Sequence, residues 1–272
     1  MRMLKRFLKR FLKVVYFGLF FGMPVSFRCN ICGHHNITGY SRVVDREASS
    51  CSVCGSNLRF RSIVSVLTTR LFGSSQVITE IKNSSILGLG MSDSSVYSSA
   101  LSDSFDYTNS FYHQEPFLDI TDASTSLYSQ LQFVISSDVF EHISRPVSVA
   151  FENARKLLAP GGIFIISVPY RLDGATVEHF PLLQEAEVLK RNDSFILRNV
   201  DSDGKVTEFD KLVFHGGPGT TLEMRVFSLP DLMSSMQSAG FSDIRIHDED
   251  QPQFGIINKR KDSLVLSAVN PA

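Results

Sequence analysis

The chain has 272 residues with 27 basic and 28 acidic side chains, a formal net charge of -1. That length accommodates one full α/β domain and an appended module. Residues 1–28 hold seven of the basic side chains and no acid, leaving 20 basic against 28 acidic groups elsewhere; so acidic a body argues against nucleic acid as a partner, because that affinity comes largely from neutralised phosphates.

In residues 1–27, Leu4, Phe7, Leu8, Phe11, Leu12 and Val15 recur at helical spacing, while Lys5, Arg6, Lys9, Arg10 and Lys13 fill the other face. This is the pattern of a basic amphipathic helix lying on a membrane surface. The apolar run from Val14 to Met23 ends at Pro24 and is shorter than the ~20 residues a spanning helix needs. A secretory signal competes with this reading. It ranks lower because the basic part is long and itself amphipathic, no small-x-small cleavage site follows, and export would oxidise the thiols downstream. The expectation is contact with an anionic membrane surface through residues 1–24, on its cytoplasmic side. Packing onto the body or a second subunit is the third alternative.

Residues 28–58 hold every cysteine in the chain: Cys29 and Cys32, then eighteen residues, then Cys51 and Cys54. Each pair is followed by glycine, Gly33 and Gly55, which lets the backbone turn so that amides face the sulfurs. Four thiolates from two such turns predict a closed, structural zinc site, a small four-cysteine zinc ribbon. Two disulfides or four unrelated thiols are the alternative, and spacing this regular disfavours both.

A linker helix is expected in 59–79, with Phe60, Ile63, Val64, Leu67 and Leu71 on one face and a stop at Gly73. Ser85–Asp93 then reads as a strand entering a glycine-bearing turn and a helix. Small residues at Gly88, Gly90 and Ser92 admit a ligand close to the backbone at free helix-start amides. Gln132–Ser137 is a second apolar strand, leading into Asp138-Val139-Phe140-Glu141-His142. A helix follows on the stripe Val147, Ala150, Phe151, Ala154, Leu157, with Ser144 as its expected cap. Ile163–Val168 is apolar throughout, as in a parallel strand covered on both faces. A helix over Ser228–Ala239 and strands near Ile244–His247 and Leu264–Val269 complete the order. The insertion at about 170–226 contains a hairpin turning at Asp203-Gly204.

In ILGLGMSDS (86–94), FVISSDVFEHI (133–143) and ARKLLAPGGIFIISVPY (154–170) the chain resembles the class I S-adenosylmethionine-dependent methyltransferases. The resemblance spans about 80–272 and implies a Rossmann-like, mostly parallel seven-stranded sheet with an antiparallel last strand. It also implies S-adenosylmethionine as cofactor. Gly90 falls on the first glycine of the nucleotide loop, Ser92 replaces the second, and Gly88 stands where many members carry an acid, for which Asp93 is the substitute. Asp106 or Asn109 would meet the ribose, Asp119 the adenine, and Ser137 and Asp138 would border the methyl donor. Methyl transfer asks the protein chiefly to align its reactants and to remove a proton from the acceptor. His142, His179 and His215 are the candidate bases.

A weaker resemblance, to zinc-ribbon-bearing bacterial enzymes of surface-polysaccharide synthesis, points to a small or glycan-linked acceptor. Two alternatives stand beside it. One is an RNA methyltransferase gripping its substrate through the zinc ribbon, with Arg59 and Arg61 after the second cysteine pair. The other is a non-catalytic binding protein of the same fold, suggested by the departures at Gly88 and Ser92.

Overall fold

The computed structural model describes residues 23–122, 127–144, 146–181, 183–217 and 219–271. The membrane-surface segment expected in 1–27 lies outside them up to residue 22. Among the described residues no helix is long and apolar enough to cross a membrane.

The amino-terminal part is built on an antiparallel hairpin of β1 (Pro24–Arg28) and β2 (His35–Gly39). Both cysteine pairs close the same turn. Gly33 donates its amide to the Cys29 carbonyl at 2.8 Å and Gly55 to that of Cys51 at 3.1 Å, each glycine at positive φ (75° and 73°). Helix α1 (Leu58–Phe72) follows at once. Its start is capped by Asn57, whose Oδ1 accepts from the Phe60 amide at 2.9 Å, and its end by Gly73 in the left-handed region at φ 81°.

The central sheet comprises β3 (Asn83–Met91), β4 (Phe105–Ser110), β5 (Leu131–Ser137), β6 (Leu158–Ser167), β15 (Ser242–His247) and β16 (Val265–Val269). Its order is β4-β3-β5-β6-β16-β15. The first four strands are mutually parallel, and the last in sequence, β16, runs antiparallel between β6 and β15. Six strands stand among the described residues, one fewer than the seven expected. The segment between Ser110 and Ile120 is too short for the crossover of a dozen or more residues that another parallel strand requires. A single parallel bridge, Phe111 to Phe117, is all that lies beside β4 at that point.

Both faces of the sheet are covered, which is why its inner strands are apolar without alternation. Val134, Phe164 and Ile166 pack against α3 (Val147–Leu157) and α4 (Leu229–Ser238). Phe133, Ile135 and Ile165 point the other way, into one core with α1, α2 (Ser95–Ser104) and Phe27, Cys29, Ile31 and Cys51 of the hairpin module. The amino-terminal module thus shares the main core. Helix α3 begins after Pro146 with no side-chain cap, so Ser144 does not serve as one.

The insertion between β6 and α4 carries eight short strands. Of these, β14 (Arg225–Ser228) pairs parallel with β7 (Tyr170–Arg171) and antiparallel with β8 (Val177–Glu178). A meander of β9 (Glu185–Arg191), β10 (Ser194–Val200) and β11 (Val206–Phe209) turns at Gly204, φ 78°. The pair β12 (Phe214–His215) and β13 (Thr221–Leu222) folds back toward the end of β5.

Candidate functional site

The four sulfurs converge. Cys29 Sγ lies 3.7 Å from Cys54 Sγ, and Cys32 Sγ 3.6 Å from Cys51 Sγ. A tetrahedron with metal–sulfur bonds of about 2.3 Å has edges of about 3.8 Å, so these two edges match zinc, and all four sulfurs lie within 4.8 Å of one another. Its surroundings also call for negative charge. Arg61 is wholly buried, its guanidinium donating to the Ser56 carbonyl (2.9 Å) and the Gly255 carbonyl (3.0 Å), and among the described residues no carboxylate pairs with it. The charges facing it are Cys29, Cys51 and Cys54. A guanidinium sealed in a core is tolerable beside thiolates and costly beside neutral thiols.

At the carboxyl end of β3 the two glycines have a use different from the expected one. A Cβ on Gly88 would fall within 3.0 Å of three atoms of the Phe133 ring. One on Gly90 would meet the Tyr107 hydroxyl and the Asp93 carboxylate. The protein's own side chains occupy the space the glycines leave. Asp93 is buried and accepts from the hydroxyls of Tyr97 (2.6 Å) and Tyr107. Burial pushes its carboxyl up to about 7 against the pull of these two hydroxyls. Asn109 braces the same loop, accepting from the Asp93 amide and donating to the Asp93 carbonyl, both at 2.8 Å. Asp93 and Asn109 therefore hold the turn from beneath. Asp106 is exposed near the amino end of β4, the wrong end of the sheet for a ligand in the carboxyl-end loops. Ser92, at φ 56°, and Asp138, at φ 53°, turn the chain at the ends of β3 and β5. Asp119 Oδ1 accepts from the Thr121 amide and hydroxyl, a turn-forming role.

Over these strand ends sit three residues that the sequence did not single out for the site. Arg46 grips both oxygens of Asp138 (Nη2–Oδ1 2.5 Å, Nη1–Oδ2 3.0 Å) and donates to Ser167 Oγ at 2.9 Å. Arg59 Nη1 lies 3.1 Å from Asp138 Oδ2 and donates to Ser137 Oγ at 2.7 Å. Glu47, half exposed, takes the other edge of Arg59 in a two-point grip of 2.9 and 2.7 Å and also contacts Arg46. The amino-terminal module thus places two guanidinium groups at the mouth of β5 and β6. With Arg59 engaged here and Arg61 buried, neither is presented to an RNA.

Beyond β5 the three predicted histidines come together. His179 donates from Nε2 to Glu223 Oε1 at 2.9 Å, and His215 from Nε2 to Glu223 Oε2 at 3.0 Å. His142 stacks edge-on against His215 with ring centres 4.6 Å apart, and its Nδ1 donates to the Leu222 carbonyl at 2.9 Å. Burial draws the His142 imidazole below its usual value. Between them lies Glu141, 1% exposed, and among the described residues neither of its carboxyl oxygens has a hydrogen-bond partner. Burial, with Asp138 nearby, pushes its carboxyl up to about 8. Arg225 fixes the loop carrying these groups. Its Nη1 donates to the carbonyls of Phe140 (3.0 Å) and Ile143 (2.5 Å) and its Nε to Glu178 (2.9 Å). Glu223 and Arg225, an ion pair suggested by their spacing in LEMRVF, do not pair with each other: Glu223 takes His179 and His215, and Arg225 takes Glu178.

No family model and no curated protein matches the chain. Solved structures resemble it at low identity. One is the 1,6-didemethyltoxoflavin N1-methyltransferase of Burkholderia thailandensis, with 13% identity, 78% of each chain covered and a TM-score of 0.44. A second is an S-adenosylmethionine-dependent methyltransferase from Clostridium acetobutylicum, with 12% identity, 79% of this chain and 91% of that one covered, and a TM-score of 0.43. A third is a sugar N-methyltransferase from Streptoalloteichus, with 10% identity, 78% and 88% covered, and a TM-score of 0.43. The fold itself rests on the sheet: four parallel strands and an antiparallel last strand slotted between β6 and β15, the Rossmann-like arrangement expected from the sequence.

Proposed function

We propose that the chain is an S-adenosylmethionine-dependent methyltransferase acting on a small or glycan-linked acceptor. The observation that carries this reading is the convergence, at the carboxyl ends of β3, β5 and β6, of a paired-arginine mouth and a histidine–glutamate cluster. Carboxyl-end loops are where open α/β sheets hold their ligands.

The fit of the cofactor is carried by donor chemistry. Arg59 already holds both oxygens of a carboxylate, Glu47, on its Nε–Nη2 edge, and Glu47 is half exposed. The methionine carboxylate would take that fork in its place, with Arg46 beside it. Asp119 and the loop at Ser92 are the assignments for the adenosine end. Gly88, Gly90, Asp93 and Asn109 act indirectly, by shaping that loop from below. When bound, the cofactor supplies a methyl group on a positively charged sulfur, an electrophile that needs no further activation. The acceptor proton goes to His179. Because His179 Nε2 donates to Glu223, its Nδ1 carries the lone pair, and Glu223 stabilises the imidazolium that forms. The insertion that bears His179 serves as the acceptor-side lid.

In the same reading Cys29, Cys32, Cys51 and Cys54 hold a structural zinc ion, and the basic amino-terminal segment attaches the protein to the inner face of a membrane, consistent with a role in surface-polysaccharide synthesis. Calorimetric titration tests the central assignment. The parent should bind S-adenosylmethionine, Arg59→Ala should bind at least tenfold more weakly, and His179→Ala should bind normally while losing turnover on amino-sugar acceptors. A parent protein that takes up no S-adenosylmethionine at millimolar concentration would sink the proposal.

A further inference from the structure

The cluster around Glu141 has an arrangement that a proton relay does not require. His142 gives its Nδ1–H to the Leu222 carbonyl, which accepts only, so in the neutral ring its Nε2 bears a lone pair. His215 gives its Nε2–H to Glu223, so its Nδ1 bears one too. Both lone pairs face Glu141 Oε1, at 3.8 Å from His142 Nε2 and 3.9 Å from His215 Nδ1. Two lone pairs and a buried carboxyl group are thus turned toward one point, and among the described residues no hydrogen bond ties the carboxyl oxygens; a metal ion would take the place of the carboxyl's proton. Arg46, the guanidinium whose charge acts on Glu141, is engaged with Asp138, Glu47 and Ser167.

We propose that Glu141, His142 Nε2 and His215 Nδ1 form a binding site for one divalent first-row transition-metal ion, separate from the four-cysteine site. Three observations carry it. The ligand atoms lie within 4.8 Å of one another. Bonds of about 2.1 Å imply ligand–ligand edges of about 3.0–3.4 Å, so each group need move inward by less than about 1 Å. The carboxyl group at the centre is buried and has no hydrogen-bond partner among the described residues. Each histidine already has the outer partner, a backbone carbonyl or a carboxylate, that fixes a metal-bound imidazole in orientation and tautomer. Two imidazoles and one carboxylate select manganese, iron, cobalt or zinc over magnesium or calcium, which prefer all-oxygen sites. Three protein ligands leave coordination positions open. His215, the most exposed of the three, marks the side from which an oxygen of the acceptor would enter. The site does not depend on the methyltransferase reading and would stand if the chain bound no S-adenosylmethionine.

The test is a titration of full-length protein, with the four-cysteine site zinc-loaded, using Mn2+ followed through the resonance of the free ion, and Zn2+ followed by metal analysis. Thiolate sites discriminate against Mn2+, so the two centres are read separately. One Mn2+ per chain is expected, unchanged by Cys51→Ser and weakened at least tenfold by Glu141→Gln and by His215→Ala. If the parent takes up no Mn2+ and no zinc beyond the four-cysteine equivalent, the proposal is wrong. It is equally wrong if Glu141→Gln and His215→Ala both bind Mn2+ as the parent does.

Discussion

Gly88→Ala decides what the glycines of the first strand are for. The added methyl would fall under 3.0 Å from Cζ, Cε1 and Cε2 of Phe133, where carbon–carbon contacts settle at about 3.5–4.0 Å. To restore that spacing the ring would have to retreat by roughly 1.5 Å or more, into closely packed neighbours. Phe133 is fully buried, 5.5 Å edge-on to Phe105 and 6.0 Å stacked on Tyr107. Overpacking of this kind costs about 1–3 kcal/mol, and a trapped ring belongs at the upper end. At about 2–4 °C per kcal/mol for a chain this size, the melting midpoint should drop by about 6–12 °C. Circular dichroism and scanning fluorimetry would measure it, with S-adenosylmethionine affinity determined on the same preparation. Phe133→Leu in the Gly88→Ala background should recover part of the loss, a coupling absent if the two positions act independently. An alanine variant that melts with the parent yet no longer binds the cofactor would refute this account and return Gly88 to the ligand.

Three further outcomes are expected. Asp93 keeps its proton in the fold up to about pH 7, whereas the unfolded chain releases it near 4, so its contribution to stability should fall as pH rises through that window. The slope is about 1.4 kcal/mol per pH unit, on the order of 4 kcal/mol in all, and Asp93→Asn should flatten it; urea melts from pH 4 to 7 that decline equally in both proteins would count against this. Purified protein should carry about one equivalent of zinc at the four cysteines, and Cys51→Ser should lower both metal content and melting temperature, whereas a metal-free protein that melts like the parent would remove the structural role. Deleting residues 1–22 should shift the protein from anionic vesicles to the supernatant at an expected loss of about 1 kcal/mol per basic side chain, and a full-length chain already free in solution would discount the membrane reading.

The sheet was legible in the sequence because its signals are local. QFVISS and IFIISV are apolar along their whole length, as strands covered on both faces must be, and Ala150, Phe151, Ala154 and Leu157 mark the buried side of α3 at helical spacing. The cysteine spacing was legible for the same reason, since each knuckle is a self-contained turn. The site was only partly so. A glycine at a strand end declares that something approaches the backbone, without declaring what; at Gly88 and Gly90 it is Phe133, Tyr107 and Asp93. The three histidines were visible as residue types, but the carboxylates that connect them, Glu141 and Glu223, gain meaning only when β12 and β13 fold against the end of β5. Arg46 meets Asp138 across 92 positions of sequence and Arg59 meets Ser137 across 78, distances over which no periodicity survives. That six rather than seven strands stand in the sheet among the described residues has a local sign, the short stretch between Ser110 and Ile120.

The bond from Arg61 to the Gly255 carbonyl spans 194 residues and has a consequence for the order of assembly. Both cysteine knuckles leave the ribosome early, the first in the turn between β1 and β2 and the second just before α1. The carbonyl that satisfies Arg61 is synthesised only after those 194 residues, which at ~5–20 residues per second takes about 10–40 s. Throughout that interval four thiols stand ready for metal while the cover over their guanidinium neighbour does not yet exist. If the four thiols take a metal as proposed, loading during synthesis is the open route, and a chain that completed its carboxyl-terminal loop without metal would close over Arg61 with no metal-held thiolate beside it. Thiol labelling of nascent chains halted before and after residue 255 would distinguish the two orders, with protection of Cys54 already present in the shorter chain if metal enters first.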